Sequence, residues 1–81
     1  MQEDLLERVE IDPDVMLGKP VIRGTRITVE IILEKIAADC TIEEILEDYP
    51  RLEREDILAA VAYARQAIGT EEFIPRMRKV G

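Results

Sequence analysis

Residues 18–28 constrain the fold most strongly, because this stretch of eleven residues holds two glycines, one proline and three cations. Pro20 fixes its own φ and favours an extended conformation at the residue before it. The β-branched pair Val21–Ile22 suits a short strand, and Gly24 allows a tight turn at positive φ. Thr28 stands directly before an apolar periodic run, where a helix N-cap belongs. The stretch therefore predicts a strand, a turn, a polar loop and a helix start.

Lys19, Arg23 and Arg26 lie in this stretch, and the turn is predicted to direct their side chains outward. Two interpretations fit these cations: they are solvated charges on a structural loop, which composition alone favours, or they form a surface that contacts a partner. Under the second interpretation, the partner-binding candidates are the polar residues of the stretch and two residues of the following helices that point away from the predicted core: Lys19, Arg23, Thr25, Arg26, Ile31 and Tyr63.

Three amphipathic patterns follow, and they predict helices over about residues 29–38, 42–49 and 53–67. Thr41 and Glu44 form a capping box at the start of the second helix, and Pro50 ends it. Apolar residues at helical spacing are predicted to face the core: Val29, Ile32, Leu33, Ile36 and Ala37 in the first helix, Ile42, Ile45, Leu46 and Tyr49 in the second, and Ile57, Leu58, Ala60, Val61, Ala64 and Ile68 in the third.

The N-terminal part is predicted to be a flexible leader over residues 1–7, followed by a strand over residues 8–11 with Val9 and Ile11 facing inward. Val21–Ile22 is the natural pairing partner of that strand, so residues 8–27 are predicted to form a β-hairpin. The predicted fold is mainly α, a three-helix, helix-turn-helix-like bundle with this short hairpin. Residues 8–72 are predicted to be a single domain, and residues 73–81 a basic tail.

Catalysis is not expected, because the chain has no histidine and only one cysteine, Cys40. Carboxylates are plentiful, but those of the second helix fit a solvated face better than a cation site, so we expect no metal and no cofactor. No apolar run approaches the roughly 20 residues of a membrane span. The acidic start does not resemble a signal peptide, and a lone cysteine fits a reducing compartment, so the predicted location is the cytoplasm.

Charge is distributed unevenly along the chain. The net charge is −7, yet residues 28–72 alone carry −8, whereas residues 73–81 carry +3. An acidic body repels phosphate backbones and suits a basic partner surface. At 81 residues the core is also small, and cores of this size often depend on a partner chain or a second copy, so a homodimer is expected.

Two runs, GKPVIRGTRITV at residues 18–29 and TIEEILEDYPRLEREDILAAVAYARQ at residues 41–66, resemble a family of small prokaryotic proteins known as domain of unknown function 433. The resemblance covers roughly residues 8–66. It implies a helix-turn-helix or homeodomain-like fold and a role as antitoxin partner of a PIN-like ribonuclease toxin. Two positions depart from the family pattern: Asp39 replaces a usual glycine after the first helix, and Glu53 replaces the usual serine or threonine before the third.

Three functions remain open on the sequence. The leading hypothesis is an antitoxin-like binding module, in which acidic helices cover the basic surface of the nuclease and Arg23 or Arg26 pairs with its metal-binding carboxylates. The second is a helix-turn-helix DNA-binding regulator, although the predicted third helix begins with three carboxylates and one arginine, so binding by the isolated core would be weak. Its phosphate-binding candidates are Arg51, Arg54, Arg76, Arg78 and Lys79. The third is a self-associating structural module.

Overall fold

Residues 4–69 are described by the computed structural model, in which a two-stranded antiparallel sheet precedes three α-helices. The elements in chain order are a 3₁₀ helix at Leu5–Arg8, strand β1 at Val9–Glu10, a 3₁₀ helix at Met16–Gly18, strand β2 at Val21–Ile22, and helices α1 at Val29–Ala37, α2 at Ile42–Asp48 and α3 at Arg54–Gly69. The predicted mainly α fold with a short N-terminal sheet is thus confirmed. No helix within residues 4–69 has the length and apolarity needed to cross a membrane.

The core lies where the three helices meet β2. Strand β2 pairs with β1 so that Val9 stands opposite Ile22 and Glu10 opposite Val21. Each helix and the segment before α3 contribute to one cluster of buried residues: Ile22, Val29, Ile32, Ile45, Leu52, Ile57 and Ala60. The predicted inward residues of α2 all pack in or against this cluster. The sheet therefore forms one wall of the helical core instead of standing apart as an isolated ribbon.

Several residues predicted to be buried are exposed. Helix α3 has 16 residues, against nine in α1 and seven in α2, so at about 1.5 Å per residue its last turns extend beyond the others. Strand β1 ends at Glu10. The alternation of inward and outward side chains therefore does not extend to Ile11, which is exposed. The prediction of inward-facing side chains is wrong for six apolar residues, which are exposed: Ile11, Ile36, Ala37, Leu58, Val61 and Ile68.

Two residues predicted to point away from the core pack against it. Ile31 and Tyr63 are half-buried, and both contact the buried cluster. For Tyr63 the reason is that the buried face of α3 runs from Ile57 through Ala60 to this residue, at a spacing of three. The buried residues Asp56 and Ala59 also lie on this side of α3.

The predicted flexible leader is only partly described, and its described end is ordered. Leu5–Arg8 forms a 3₁₀ helix in which the Asp4 side chain accepts a hydrogen bond from the Leu6 N–H at 3.0 Å. This helix packs against α3. The strand consequently begins at Val9 rather than Arg8.

The predicted helix caps are confirmed. The Thr28 hydroxyl accepts a hydrogen bond from the Ile31 N–H at 3.0 Å, at the start of α1. At the start of α2, the Thr41 hydroxyl accepts from the Glu44 N–H at 3.1 Å, and the Glu44 carboxylate accepts from the Thr41 N–H at 2.8 Å. Both halves of the capping box are therefore present.

The corner between α1 and α2 passes through Asp39, whose φ of 69° is left-handed. The Asp39 N–H donates to the Ile36 carbonyl at 3.0 Å, and the Cys40 N–H donates to the Lys35 carbonyl at 3.0 Å. These are the two hydrogen bonds of a Schellman motif, whose left-handed position glycine normally occupies. The sharp corner survives with aspartate, but at a cost in backbone strain.

We expect Asp39→Gly to raise the free energy of unfolding by about 0.5–1 kcal/mol, because glycine adopts positive φ without the steric penalty of a Cβ. Ala38→Gly is the matched control, since Ala38 has a right-handed φ of −88° and gains nothing from the exchange. Urea denaturation followed by circular dichroism measures both changes. Equal losses of stability in the two variants would contradict the assignment of strain to Asp39.

Candidate functional site

Residues 16–28 form a loop that hydrogen bonds fix to three neighbouring elements; we call it the platform. The Arg23 N–H donates to the Arg8 carbonyl at 2.8 Å, and the Val29 N–H at the start of α1 donates to the Pro20 carbonyl at 2.9 Å. The Arg51 side chain, before α3, donates to the Gly24 carbonyl at 3.1 Å. The platform therefore presents its outward side chains from a fixed backbone.

The tight turn predicted at Gly24 is confirmed. The Thr25 N–H donates to the Ile22 carbonyl at 2.9 Å, and Gly24, at the third position of this turn, has a φ of 78°. A type II turn requires positive φ at that position, which glycine adopts at little cost. The Thr25 hydroxyl donates to the Ile22 carbonyl at 2.7 Å and accepts from the Ile27 N–H at 3.0 Å. Thr25, a partner-binding candidate, thus uses its hydroxyl to hold the turn.

Backbone strain is concentrated where the platform begins. Met16, Leu17 and Gly18 have consecutive φ values of 49°, 60° and 80°. A left-handed conformation costs a non-glycine residue about 1–2 kcal/mol, so Met16 and Leu17 are both strained. Leu17 is 95% exposed, so it recovers little of that cost by burial. Strain that displays an apolar side chain to solvent is evidence for a functional surface.

Lys19, Arg26 and Ile31, three predicted partner-binding residues, line one shallow groove of about 440 Å³. The Lys19 ammonium forms an ion pair with Glu30 at 2.8 Å, and Arg26 is exposed. The remaining lining residues are Met16, Ile27, Thr28, Glu30, Glu34 and Tyr49. The groove thus joins an apolar floor to a rim that carries both signs of charge, beside the exposed Leu17.

The Lys19 side chain, by its hydrogen bond and its charge, lowers the pKa of the Glu30 carboxyl below its usual value. A lowered pKa means that this pair favours the folded chain above the usual pKa of the carboxyl and loses that effect as the pH falls through the lowered pKa. We expect Lys19→Gln to return the pKa of Glu30 towards its usual value in a carbon-13 NMR titration. Lys35→Gln, which breaks the Asp48 pair, is the control, and an unchanged Glu30 pKa in Lys19→Gln would contradict the pairing.

Arg23 lies apart from Lys19 and Arg26, in a polar cleft of about 230 Å³ at the other side of the turn. The cleft is lined by Arg8, Arg23, Arg51, Glu53 and Asp56. It brings together one predicted partner-binding residue, one residue predicted for nucleic-acid binding, and three that the sequence did not single out for a site. The predicted set of cations is therefore divided between two places, the groove and the cleft.

Asp56 organises the floor of the cleft. Its side chain is 9% exposed, and it accepts from Arg8 Nη1 at 3.0 Å and from the Glu53 N–H at 2.8 Å. The same Arg8 nitrogen donates to the Glu53 carboxylate at 3.1 Å. The Asp56 carboxylate thereby caps the start of α3, because it accepts the backbone N–H of Glu53. The Glu53 side chain does not cap the helix. A carboxylate three residues after a helix boundary is a capping signal, but no sequence signal indicates an arginine 48 residues earlier.

The other predicted residues lie elsewhere. Tyr63 lines a separate groove with Leu6, Val9 and Ile11, away from the platform. Arg54 is exposed at the first position of α3. The basic tail, with Arg76, Arg78 and Lys79, lies outside the described residues, so its predicted role stays a prediction.

The start of α3 is acidic where a DNA-reading helix would meet phosphates. Glu53 and Glu55 are exposed beside Arg54, whereas the third carboxylate of this turn, Asp56, is directed into the molecule. Two exposed carboxylates therefore flank the only arginine in this turn of the helix, whereas the exposed cations Arg23 and Arg51 lie beside it in the cleft. The described surface has three features suited to binding: an exposed leucine, a groove with paired charges and a cleft with guanidinium groups.

Comparison with known proteins adds three findings. The model of the family described as "Protein of unknown function (DUF433)" matches residues 9–64. An uncharacterized protein of Sinorhizobium fredii, y4eO, is 41% identical over 58 residues, which are 72% of this chain and 26% of that protein. The chain therefore spans about a quarter of the length of that curated relative. The crystal structure of a DUF433 member from Anabaena variabilis superposes with a TM-score of 0.72 at 34% identity, covering 76% of this chain and 61% of that one.

Proposed function

This chain belongs to the DUF433 family, and we propose that it is a non-catalytic protein-binding module, the antitoxin-like subunit of a cytoplasmic toxin–antitoxin pair. The resemblance of the GKPVIRGTRITV run implies the kind of partner, a PIN-like ribonuclease. The binding surface is the platform, with Leu17 as its exposed apolar anchor. We infer that the acidic outer face of the helices contacts a basic surface of the nuclease.

The observation that carries the proposal is the display of Leu17. A leucine that is 95% exposed at a φ of 60° gains from burial only in a complex. Full burial of a leucine side chain contributes about 1.5–3 kcal/mol, and such anchors contribute strongly to binding when they enter a pocket of the partner. The fixed backbone of the platform limits the entropy lost on association. A rigid, apolar projection of this kind is typical of a protein-binding surface.

The negative charge on the outer face of α2 supports a partner protein with a basic surface. The outer face of α2 carries four exposed carboxylates, Glu43, Glu44, Glu47 and Asp48, of which Asp48 pairs with Lys35 at 3.3 Å. Potentials of opposite sign steer association and favour the correct orientation. A nuclease needs a basic surface to hold RNA, so acidic helices complement such a surface. The same acids disfavour a duplex, which leaves DNA binding as the weaker proposal.

Co-expression with the neighbouring open reading frame tests the proposal. We expect the two chains to co-purify and the growth arrest caused by the neighbour alone to be relieved. Leu17→Asp is expected to abolish both effects, whereas Val61→Asp, a change at an exposed position of α3, is expected to leave both intact. Absence of co-purification and of rescue with the unmodified chain would overturn the proposal. Salt-sensitive binding of the isolated chain to its own promoter duplex would favour the DNA-binding regulator instead.

A further inference from the structure

We infer that the cleft between Arg23 and Arg51 is a receptor for one carboxylate group, an aspartate or glutamate side chain carried by a protein partner. This deepens the proposed function and rests on it for the class of partner. It also changes the role of Arg51, whose position before α3 first suggested a phosphate contact.

The charges within the cleft leave room for one anion. Arg8 is engaged with Glu53 at 3.1 Å and with Asp56 at 3.0 Å. Within residues 4–69, neither Arg23 nor Arg51 has a carboxylate within ion-pair distance. Three guanidinium groups and two carboxylates line the cleft, and the neighbouring Glu10 carboxylate accepts from the Gly24 N–H at 3.4 Å. Arg23 and Arg51 therefore offer guanidinium donors that no carboxylate among residues 4–69 occupies, and one carboxylate from a partner can accept from both.

The cleft is also preorganised. Arg51 Nη2 donates to the Gly24 carbonyl at 3.1 Å, which holds its guanidinium over the turn that carries Arg23. The Arg23 backbone is fixed by its hydrogen bond to the Arg8 carbonyl at 2.8 Å. Because the guanidinium group offers several N–H donors in a fixed plane, Arg51 retains donors for a second acceptor. Charge-assisted hydrogen bonds from two arginines to one carboxylate are among the stronger contacts at an interface.

The shape and the rim of the cleft favour a side chain over a nucleic acid. A volume of about 230 Å³ accepts an acidic side chain but not a continuous sugar–phosphate chain. Glu53, whose side chain is 68% exposed, stands at the rim, and Glu55 follows on the exposed surface of α3. A polyanion that delivered one phosphate to the cleft would bring its neighbouring phosphates to these carboxylates. A single acidic side chain avoids that repulsion.

NMR titration of the isotope-labelled full chain tests this inference without the natural partner. The probe is the blocked peptide acetyl-Ala-Glu-Ala-amide, and the matched control peptide replaces its glutamate by glutamine. We expect saturable shifts, in the millimolar range, at the side-chain N–H groups of Arg23 and Arg51 and at the Gly24 amide. Arg23→Gln or Arg51→Gln is expected to weaken binding at least about tenfold, as loss of a charge-assisted hydrogen bond implies. Arg54→Gln removes one positive charge outside the cleft and is expected to change the affinity for the glutamate peptide little.

Three results would overturn the inference. The first is a glutamine peptide that binds as well as the glutamate peptide. The second is weak, non-saturating shifts spread over all arginines. The third is a short single-stranded oligonucleotide that binds the same cleft more tightly than the peptide, which would assign it to nucleic acid. The proposed function is judged separately: co-purification that survives both arginine substitutions contradicts the receptor alone, and peptide binding without any captured neighbour contradicts the antitoxin role alone.

Discussion

Replacing Asp56 by alanine is expected to lower the free energy of unfolding by about 2–3 kcal/mol, since a hydrogen bond to a charged group contributes about 1.5–3 kcal/mol and Arg8 keeps its contact with Glu53. The Asp56 side chain is 9% exposed and the Arg8 side chain 19% exposed, so solvent replaces little of the lost contact. The change also removes the acceptor for the Glu53 N–H at the start of α3. For a domain of 81 residues, such a loss is a large share of a total stability of about 5–10 kcal/mol.

Glu53→Ala is the matched control for Asp56→Ala. It removes a carboxylate from the same Arg8 nitrogen, but the Glu53 side chain is 68% exposed. Exposed ion pairs contribute less than about 1 kcal/mol. Urea denaturation measures both variants, and their difference isolates the buried contact. If the two variants lost equal stability, the view that Asp56 joins the N-terminal 3₁₀ helix to α3 would be wrong.

Replacing Leu17 by glycine is expected to change stability and binding in opposite directions. Glycine relieves the strain of a φ of 60°, which costs leucine about 1–2 kcal/mol. The greater freedom of glycine in the unfolded chain offsets about 0.4–1 kcal/mol of that gain. We therefore expect a free energy of unfolding that is unchanged or up to about 1 kcal/mol higher. Affinity for the proposed partner should fall about 30-fold or more, because truncation of an anchor residue that a complex buries costs about 2 kcal/mol or more.

Met16→Gly is the control for the strain, because Met16 has a φ of 49° but is only 42% exposed, against 95% for Leu17. It should give a similar change in stability with a smaller loss of affinity. Thermal unfolding and isothermal titration calorimetry with the co-purified partner measure the two quantities. A Leu17→Gly variant that bound its partner as tightly as the unmodified chain would remove Leu17 from the interface.

The parts of the fold that could be predicted from the sequence depend on neighbouring residues. The caps at Thr28 and Thr41, the turn at Gly24 and the left-handed corner at Asp39 each involve groups within about five residues of one another. Local chemistry determines such features almost independently of the rest of the chain. The confirmed positions of the three helices follow from the same local signals and from the 3.6-residue apolar spacing.

Features that depend on distant parts of the chain could not be predicted. The apolar residues of α3 lie on more than one face, and contacts with the other elements of the fold decide that Ile57 and Ala60 are buried whereas Leu58 and Val61 are exposed. The pairing of Arg8 with Asp56 joins residues 48 positions apart and has no local signature. The left-handed conformation of Leu17 contradicts its residue type, so sequence propensity predicts a different backbone there.

In the candidate site, too, features set by neighbouring residues could be predicted, whereas features set by distant parts of the chain could not. The sequence identified the platform and its cations from the glycines and proline that shape it. It could not show that Arg26 accompanies Lys19 while Arg23 accompanies Arg51, because the turn at Gly24 separates the two pairs in space. Nor could it show that the Thr25 hydroxyl and the Ile31 side chain make internal contacts.

Hydrogen–deuterium exchange of the chain, alone and with its co-purified partner, tests most directly whether the platform is the recognition surface. We expect the partner to slow exchange of amides in residues 16–26 and to leave those of residues 54–58 unchanged. A parallel sample with the promoter duplex should show no change in either region. Slower exchange at residues 54–58 in the presence of the duplex, with residues 16–26 unaffected by the partner, would instead identify α3 as a DNA-reading helix and exclude the platform as the recognition surface.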